Sequence, residues 1–212
     1  MTGLFITFEG GDGSGKTTQI ARLAAALRAA GRDVVTLREP GGTVVGEGVR
    51  EILLDPAHEE LSPMAELLLF TASRAQLSLT VIKPALDAGK IVLCDRHADS
   101  SVAYQGYGRG LDLAMVRAIN TWATGGLVPD RTIVLDVEPH AGIAAATPHT
   151  ADRLEREAIA FHERIRAGYL EMAAAEPDRI VVVERDATDA VWSGVLAALA
   201  PVLARAGITL GA

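Results

Sequence analysis

The stretch Gly10 to Thr18, GGDGSGKTT, decides the fold. It follows the apolar run Leu4, Phe5, Ile6, Thr7, Phe8 and precedes a long Ala/Leu-rich segment. Gly10, Gly15, Lys16 and Thr17 meet the pattern G-x-x-x-x-G-K-[ST], and strand, loop, then helix is the context that the pattern requires. Glycines at 10, 11, 13 and 15 carry no Cβ, so the backbone can take positive φ and turn its N–H groups onto phosphate oxygens. A helix opening near Lys16 adds the positive end of its dipole. The phosphate-binding set is therefore Gly10, Gly11, Asp12, Gly13, Ser14, Gly15, Lys16, Thr17 and Thr18. Lys16 would carry a cation to the outer phosphates, and the Thr17 hydroxyl would bind the accompanying Mg2+.

Outward from this loop, apolar runs alternate with longer helical patterns, the signature of βαβ units. Strands are expected at Leu4–Phe8, Asp33–Leu37, Ile91–Cys94, Thr132–Val137 and Arg179–Val183. Helices are expected at about Lys16–Ala30, Val44–Leu54, Pro63–Ala88, Leu113–Ala123, Ala141–Ala146, Leu154–Ala175 and Ala190–Ala204. The expected architecture is a three-layer α/β P-loop NTPase fold: a five-stranded parallel sheet with helices on both faces, in a single domain spanning 1–212. The tail from Val195 to Ala206 is expected to pack on the sheet edge.

With 212 residues the chain can bury one substantial core. Its net charge of −7 argues against a nucleic-acid polymer as partner, because such proteins need surplus Lys and Arg. The single cysteine, Cys94, excludes an internal disulfide, and its apolar run marks it as a buried thiol. No apolar run approaches a membrane span, and the first strand leaves no room for a leader, so a cytoplasmic protein is expected.

The loops after the first four strands should meet at one rim, where parallel sheets bind ligands. Arg38, in REPGGT, can present a planar fork to a phosphate, or it can be the surface arginine of a tight turn. Asp95 ends the third strand at the usual Walker B position, and Arg96 beside it could grip a second phosphate. His97 reads as a polar loop residue satisfied by its neighbours. Phe70 and Arg74, four apart on one helix face, could form a nucleobase platform. Ser100, Ser101, Tyr104 and Gln105 lie in a stretch read as a loop, ending Tyr107-Gly108-Arg109-Gly110, and could read a base edge. Two phosphate sites on one rim imply phosphoryl transfer between nucleotides.

In order and spacing the chain resembles thymidylate kinases from Leu4 to about Tyr169. The carrying motifs are FEGGDGSGKTTQ from Phe8, REPGGT from Arg38, LLLFTASRAQL from Leu67, VIKPAL from Val81, CDRHADSSVAYQGYGRG from Cys94, PDRTIVLDVEP from Pro129 and DRLEREAIAFHERIRAGYL from Asp152. The resemblance implies conversion of dTMP to dTDP with ATP and Mg2+, and a homodimer. It implies thymine stacked on Phe70, base contacts from Arg74, Ser101 and Gln105, and Tyr104 near the sugar. It places the monophosphate on Arg38 and Arg96, Glu9 beside the sugar and magnesium, and Glu155 near the acceptor.

One departure stands out. Family members with glycine at the position of Gly13 generally rely on several arginines in a mobile lid, here residues 144–153. That lid reads AAATPHTADR, so Arg153 is its one arginine and the candidate catalytic finger; His149 is the other candidate cation. Two other readings stay open, a kinase of another or modified pyrimidine deoxynucleotide and a nucleotide-binding protein of weak or lost activity.

Overall fold

The fold comes from a computed structural model, which describes residues 3–145 and 152–210. Five strands, β1 (Leu4–Glu9), β2 (Val34–Arg38), β3 (Ile91–Asp95), β4 (Arg131–Asp136) and β5 (Ile180–Glu184), form one sheet in the order β2-β3-β1-β4-β5. Every neighbouring pair is parallel. This is the P-loop type of α/β fold, with strand order reversing about the central β1.

All six residues of β1 are buried, as a strand covered on both faces must be. Side chains alternate across a strand, so Leu4, Ile6 and Phe8 share one face and Phe5, Thr7 and Glu9 the other. The first set packs with Leu23 and Leu27 of α1 (Lys16–Ala29) and with Val195, Leu199 and Val202 near the C-terminus. On the other face Phe5 joins Leu77, Ile82, Val92 and Cys94. A third cluster beside it, on the sheet's other half, gathers Val102, Tyr104, Val134, Phe161, Ile165 and Tyr169.

The helices after β2 are α2 (Val44–Leu54), α3 (Pro63–Leu77) and α4 (Lys83–Asp87). Thr43 and Ser62 cap α2 and α3, accepting from the N–H groups of Gly46 and Ala65. The helix expected to run unbroken from Pro63 to Ala88 instead passes through a π-helical turn at Ser78–Ile82. Pro84 explains it: the residue has no N–H to donate and its ring would strike the carbonyl four residues back, so the register widens. α6 (Leu113–Thr124) ends on Gly125, and α7 (Pro139–Ala145) follows β4.

Three expectations need correction. The segment read as a loop after β3 is helical, with α5 (Ala98–Ser101) continuing into π-helical Val102–Gly108. Burial against α8 (Ile159–Ala175) selects this form, and α8 starts later than Leu154 because residues 154–158 turn first. The last helix, α9 (Thr188–Arg205), lies on the sheet face over β4 and β5 beside α1, not at the edge. Strand limits also move by one residue, and Ala146 falls outside the described residues.

Candidate active site

The phosphate loop folds as its glycines require. Gly10 has φ 125°, and a Cβ there would collide with the Leu135 carbonyl, so β4 presses on the loop from behind. Lys16 is buried and its Nζ donates to the carbonyls of Gly10 (3.2 Å) and Gly11 (2.8 Å) and to Ser14 Oγ (3.3 Å). Burial, and next the charge of Arg96, push its ammonium down to about 8. The Thr17 hydroxyl donates to Asp95 Oδ2 at 3.4 Å, because parallel pairing sets the end of β3 level with the end of β1.

Arg96 is the only non-glycine with positive φ among the described residues, at 69°. A long side chain in that region is strained, and the surroundings hold it there. Its N–H donates to the Phe8 carbonyl at 2.9 Å. Its guanidinium donates from Nη2 to Asp12 Oδ1 (2.8 Å) and lies 4.9 Å over the Tyr104 ring. Nη1 is buried with no partner. Burial alone would raise the Asp12 carboxyl, but the charges of Arg96 and Lys16 hold it below the usual carboxylate range. Arg96 also lines an open cleft, and a guanidinium at such a position suits an anion.

That cleft has a volume of about 530 Å³, and Asp12, Glu39, Pro40, Arg50, Leu54, Phe70, Arg96, Ser100, Ser101, Tyr104, Gln105, Asp152 and Leu154 line it. Phe70 gives it an aromatic wall, and charged, hydroxyl and amide groups share the lining. Besides α2, which gives Arg50 and Leu54, two further helices build it. Glu66, Phe70 and Arg74 follow at i, i+4 and i+8 along one face of α3. Ser101, Tyr104 and Gln105 share a face of the helix after β3.

Residues 8–191 match the family model described as thymidylate kinase. The chain belongs to the thymidylate kinase family. It is 53% identical to the thymidylate kinase of Deinococcus radiodurans over 199 residues, covering 91% of this chain and 96% of that one. It is 50% identical to that of Desulforudis audaxviator over 205 residues, covering 94% and 93%. The crystal structure of thymidylate kinase from Ehrlichia chaffeensis superposes with a TM-score of 0.77 at 37% identity, covering 94% of this chain and 99% of that one.

Within this family frame, several expected site residues sit elsewhere than expected. Arg38 does not line the cleft. It stands in a separate groove with Thr17 and Asp95, half-exposed, its Nη2 on Glu47 (3.0 Å). Arg50 of α2 lines the cleft, anchored by Nη1 on the Pro40 carbonyl (3.0 Å). No local motif marks Arg50; only its place on the helix that follows the REPGGT loop could have suggested it.

Arg74 lies behind the wall, not on it. Fully buried, it donates to Glu39 Oε2 (2.7 Å), Ser101 Oγ (2.7 Å), Asn120 Oδ1 (2.5 Å) and the His97 carbonyl (2.9 Å). It thereby fixes Ser101 and Glu39, which do line the cleft. Burial pushes the Glu39 carboxyl up to about 7 despite Arg74. Glu9 is under the floor: its oxygens accept from the His97 N–H (2.8 Å), Ser100 and Tyr169 (2.8 Å), and burial, then Asp99, raise its carboxyl. His97 is buried against Phe5 with Nε2 at 3.3 Å from Ser78 Oγ, and burial, then Arg74, keep it neutral, which fits a structural role.

At the lid, Asp152 lines the cleft, whereas Glu155 accepts from the Asp152 N–H (3.0 Å) in the turn behind it. Arg153 is buried, donating Nη2 to Glu66 Oε2 (2.6 Å) and Nε to the Leu53 carbonyl (3.0 Å). Arg153 is thus tied to α2 and α3. Ala146, Thr147, Pro148, His149, Thr150 and Ala151 lie outside the described residues.

Proposed function

We propose that the chain is an ATP-dependent dTMP kinase. A 5′-phosphate oxygen of dTMP attacks the γ-phosphorus of ATP, the bond to the bridging β,γ-oxygen breaks, and dTDP and ADP form. The observation that carries this reading is Arg96, which grips the phosphate loop through Asp12 and also lines the cleft. One guanidinium therefore neighbours both the donor loop and the acceptor. Placing two anions side by side and neutralising the charge between them is most of what this chemistry needs.

The roles follow from position. Gly10 to Thr18 cradle the donor phosphates, with Lys16 on the outer ones. Arg96, with Arg50 in the part first assigned to Arg38, holds the acceptor phosphate. Phe70 stacks the base and Ser101 and Gln105 read its edge. Thr17 and Asp95 offer two adjacent hard oxygens, which suit Mg2+ completed by phosphate and water; bound there, the ion would neutralise phosphate charge. Both substrates belong to the cytoplasmic nucleotide pool, and that is where we place the protein. No helix among the described residues is long and apolar enough to cross a membrane.

We also propose a homodimer. Val44 (94% exposed), Val45 and Ile52 of α2, Met64 and Leu68 of α3, and Trp122 (87% exposed) of α6 leave large apolar side chains uncovered. A second copy would cover them, and sedimentation equilibrium should return twice the chain mass.

Purified protein with ATP, Mg2+ and a panel of monophosphates tests the activity by ADP release. dTMP should give the highest kcat/KM; dCMP or a modified nucleotide ranking first would overturn the assignment. Nothing in the comparisons favours a different acceptor.

Two further results are expected. At pH 8 an ammonium with a pKa of about 8 is half deprotonated, and polyphosphate bound beside it restores the proton. ATP binding should therefore take up about half a proton at pH 8 and about a tenth at pH 7, read by calorimetry in buffers of different ionisation enthalpy. Equal uptake at both would exclude Lys16 as the group responsible. Arg153→Ala should lower stability by about 1–3 kcal/mol, because it strips a charged hydrogen bond from buried Glu66. With Arg153 seated as an anchor, kcat should fall less than about tenfold; a drop of about 10³ or more would make it the finger.

A further inference from the structure

The carboxylate that holds the lid's root also holds the base-reading amide. Glu66 is fully buried and takes four donors. Its Oε1 accepts from Gln105 Nε2 (2.9 Å) and Arg109 Nε (3.1 Å); its Oε2 accepts from Arg109 Nη2 (2.9 Å) and Arg153 Nη2 (2.6 Å). Burial raises this carboxyl, but the hydrogen bonds from Arg109, Gln105 and Arg153 outweigh it and keep the group ionised.

An ionised carboxylate only accepts, so an amide facing it must present its NH2. A primary amide carries its oxygen on the opposite prong, and Gln105 lines the acceptor cleft. Its carbonyl is therefore the prong left for the ligand. Thymine and uracil carry a donor at N3, whereas cytosine carries a lone pair there. A fixed carbonyl attracts the first kind and repels the second.

We propose that Glu66 is a positioning residue for specificity: by claiming the Gln105 NH2 it turns the amide carbonyl into the cleft and selects a pyrimidine that donates at N3. The inference rests on the cleft being the acceptor site. Glu66 never touches the substrate. Arg109, with two of the four hydrogen bonds, keeps it ionised with or without Arg153, which ties the root of the lid to the same buried charge.

In Glu66→Gln the new amide gives its oxygen to the two arginines and turns its NH2 toward Gln105, which must then flip. dUMP and dCMP separate this effect from the thymine methyl. In the wild-type chain with ATP and Mg2+, dUMP should exceed dCMP in kcat/KM by at least about 30-fold, the effect of one mispaired buried polar group. Glu66→Gln should cut that ratio by about tenfold or more, whereas Glu66→Asp, still acceptor-only, should retain most of it. Arg153→Ala serves as the control and should leave the ratio within about twofold.

An unchanged ratio in Glu66→Gln would overturn the proposal. So would an equal collapse in Arg153→Ala, which would mark general loosening. If Glu66→Gln does not fold, calorimetric binding of dUMP and dCMP to the wild-type chain decides, and equal affinity for the two would overturn it. Binding needs no turnover, so a protein that discriminates without phosphorylating would contradict the kinase assignment and leave this inference standing.

Discussion

Lys16→Ala should lower kcat by about 10³-fold while the Kd for dTMP stays within about threefold. Nζ spans the loop between the Gly10 and Gly11 carbonyls and is the loop's only cationic side chain. It lies outside the walls of the cleft, so acceptor binding does not draw on it. The variant should also fold at least as well as the parent. A lysine pushed down to about 8 in the folded chain, against 10.5 unfolded, disfavours folding at neutral pH. That penalty is full below pH 8 and relieved as pH rises from 8 to 10.5, so removing the group removes it. A rate loss with an undiminished melting temperature would assign the effect to chemistry. A kcat within about tenfold of the parent would take Lys16 out of the transfer step.

Arg96→Ala should act on both substrates at once, lowering kcat/KM for dTMP by about 10³-fold, with KM raised and kcat reduced. It deletes a guanidinium that lines the cleft, frees Asp12 and uncovers the Tyr104 ring. Arg96→Lys keeps the charge and loses the fork, so it should recover only part of the loss. Because φ at this position is 69°, Arg96→Gly should be more stable than Arg96→Ala while being equally inactive, which separates backbone strain from chemistry. An unchanged Kd for dTMP in Arg96→Ala would show that another cation holds the acceptor.

The parts legible in the sequence are those whose signals are local. Gly10 to Thr18 needs only its own glycines, Lys16 and Thr17, and the strand and helix on either side carry their own periodicity. Asp95 was placed by the end of an apolar run. The segment from Ala98 to Gly108 was misread because Gly106, Gly108 and Gly110 look like loop punctuation. Two of these glycines mark close packing instead: a Cβ at Gly108 would lie 2.7 Å from the Phe161 ring, and one at Gly106 would meet Leu113. Tertiary contact, not propensity, makes that stretch helical.

The site residues divide in the same way. Arg38 carries the local signal of its motif and Arg50 carries none, yet Arg50 enters the cleft, because Glu47 pairs with the first and the Pro40 carbonyl holds the second. Phe70 and Arg74 were correctly put on one helix face, but burial depth separates the ring in the wall from the guanidinium behind it. Arg153 meets Glu66 across 87 positions of chain, a pairing that no spacing rule reveals.

The central claim is that two phosphate groups are gripped side by side about Arg96, one by the loop and one by the cleft. A single molecule with adenosine and thymidine joined 5′ to 5′ through five phosphates tests it most directly. Calorimetry should show one such molecule per chain, bound more tightly than ATP or dTMP alone and competing with both, since joining two ligands makes the second contact intramolecular. Competition with ATP alone, or with dTMP alone, would mean that the two sites do not meet and would contradict the account.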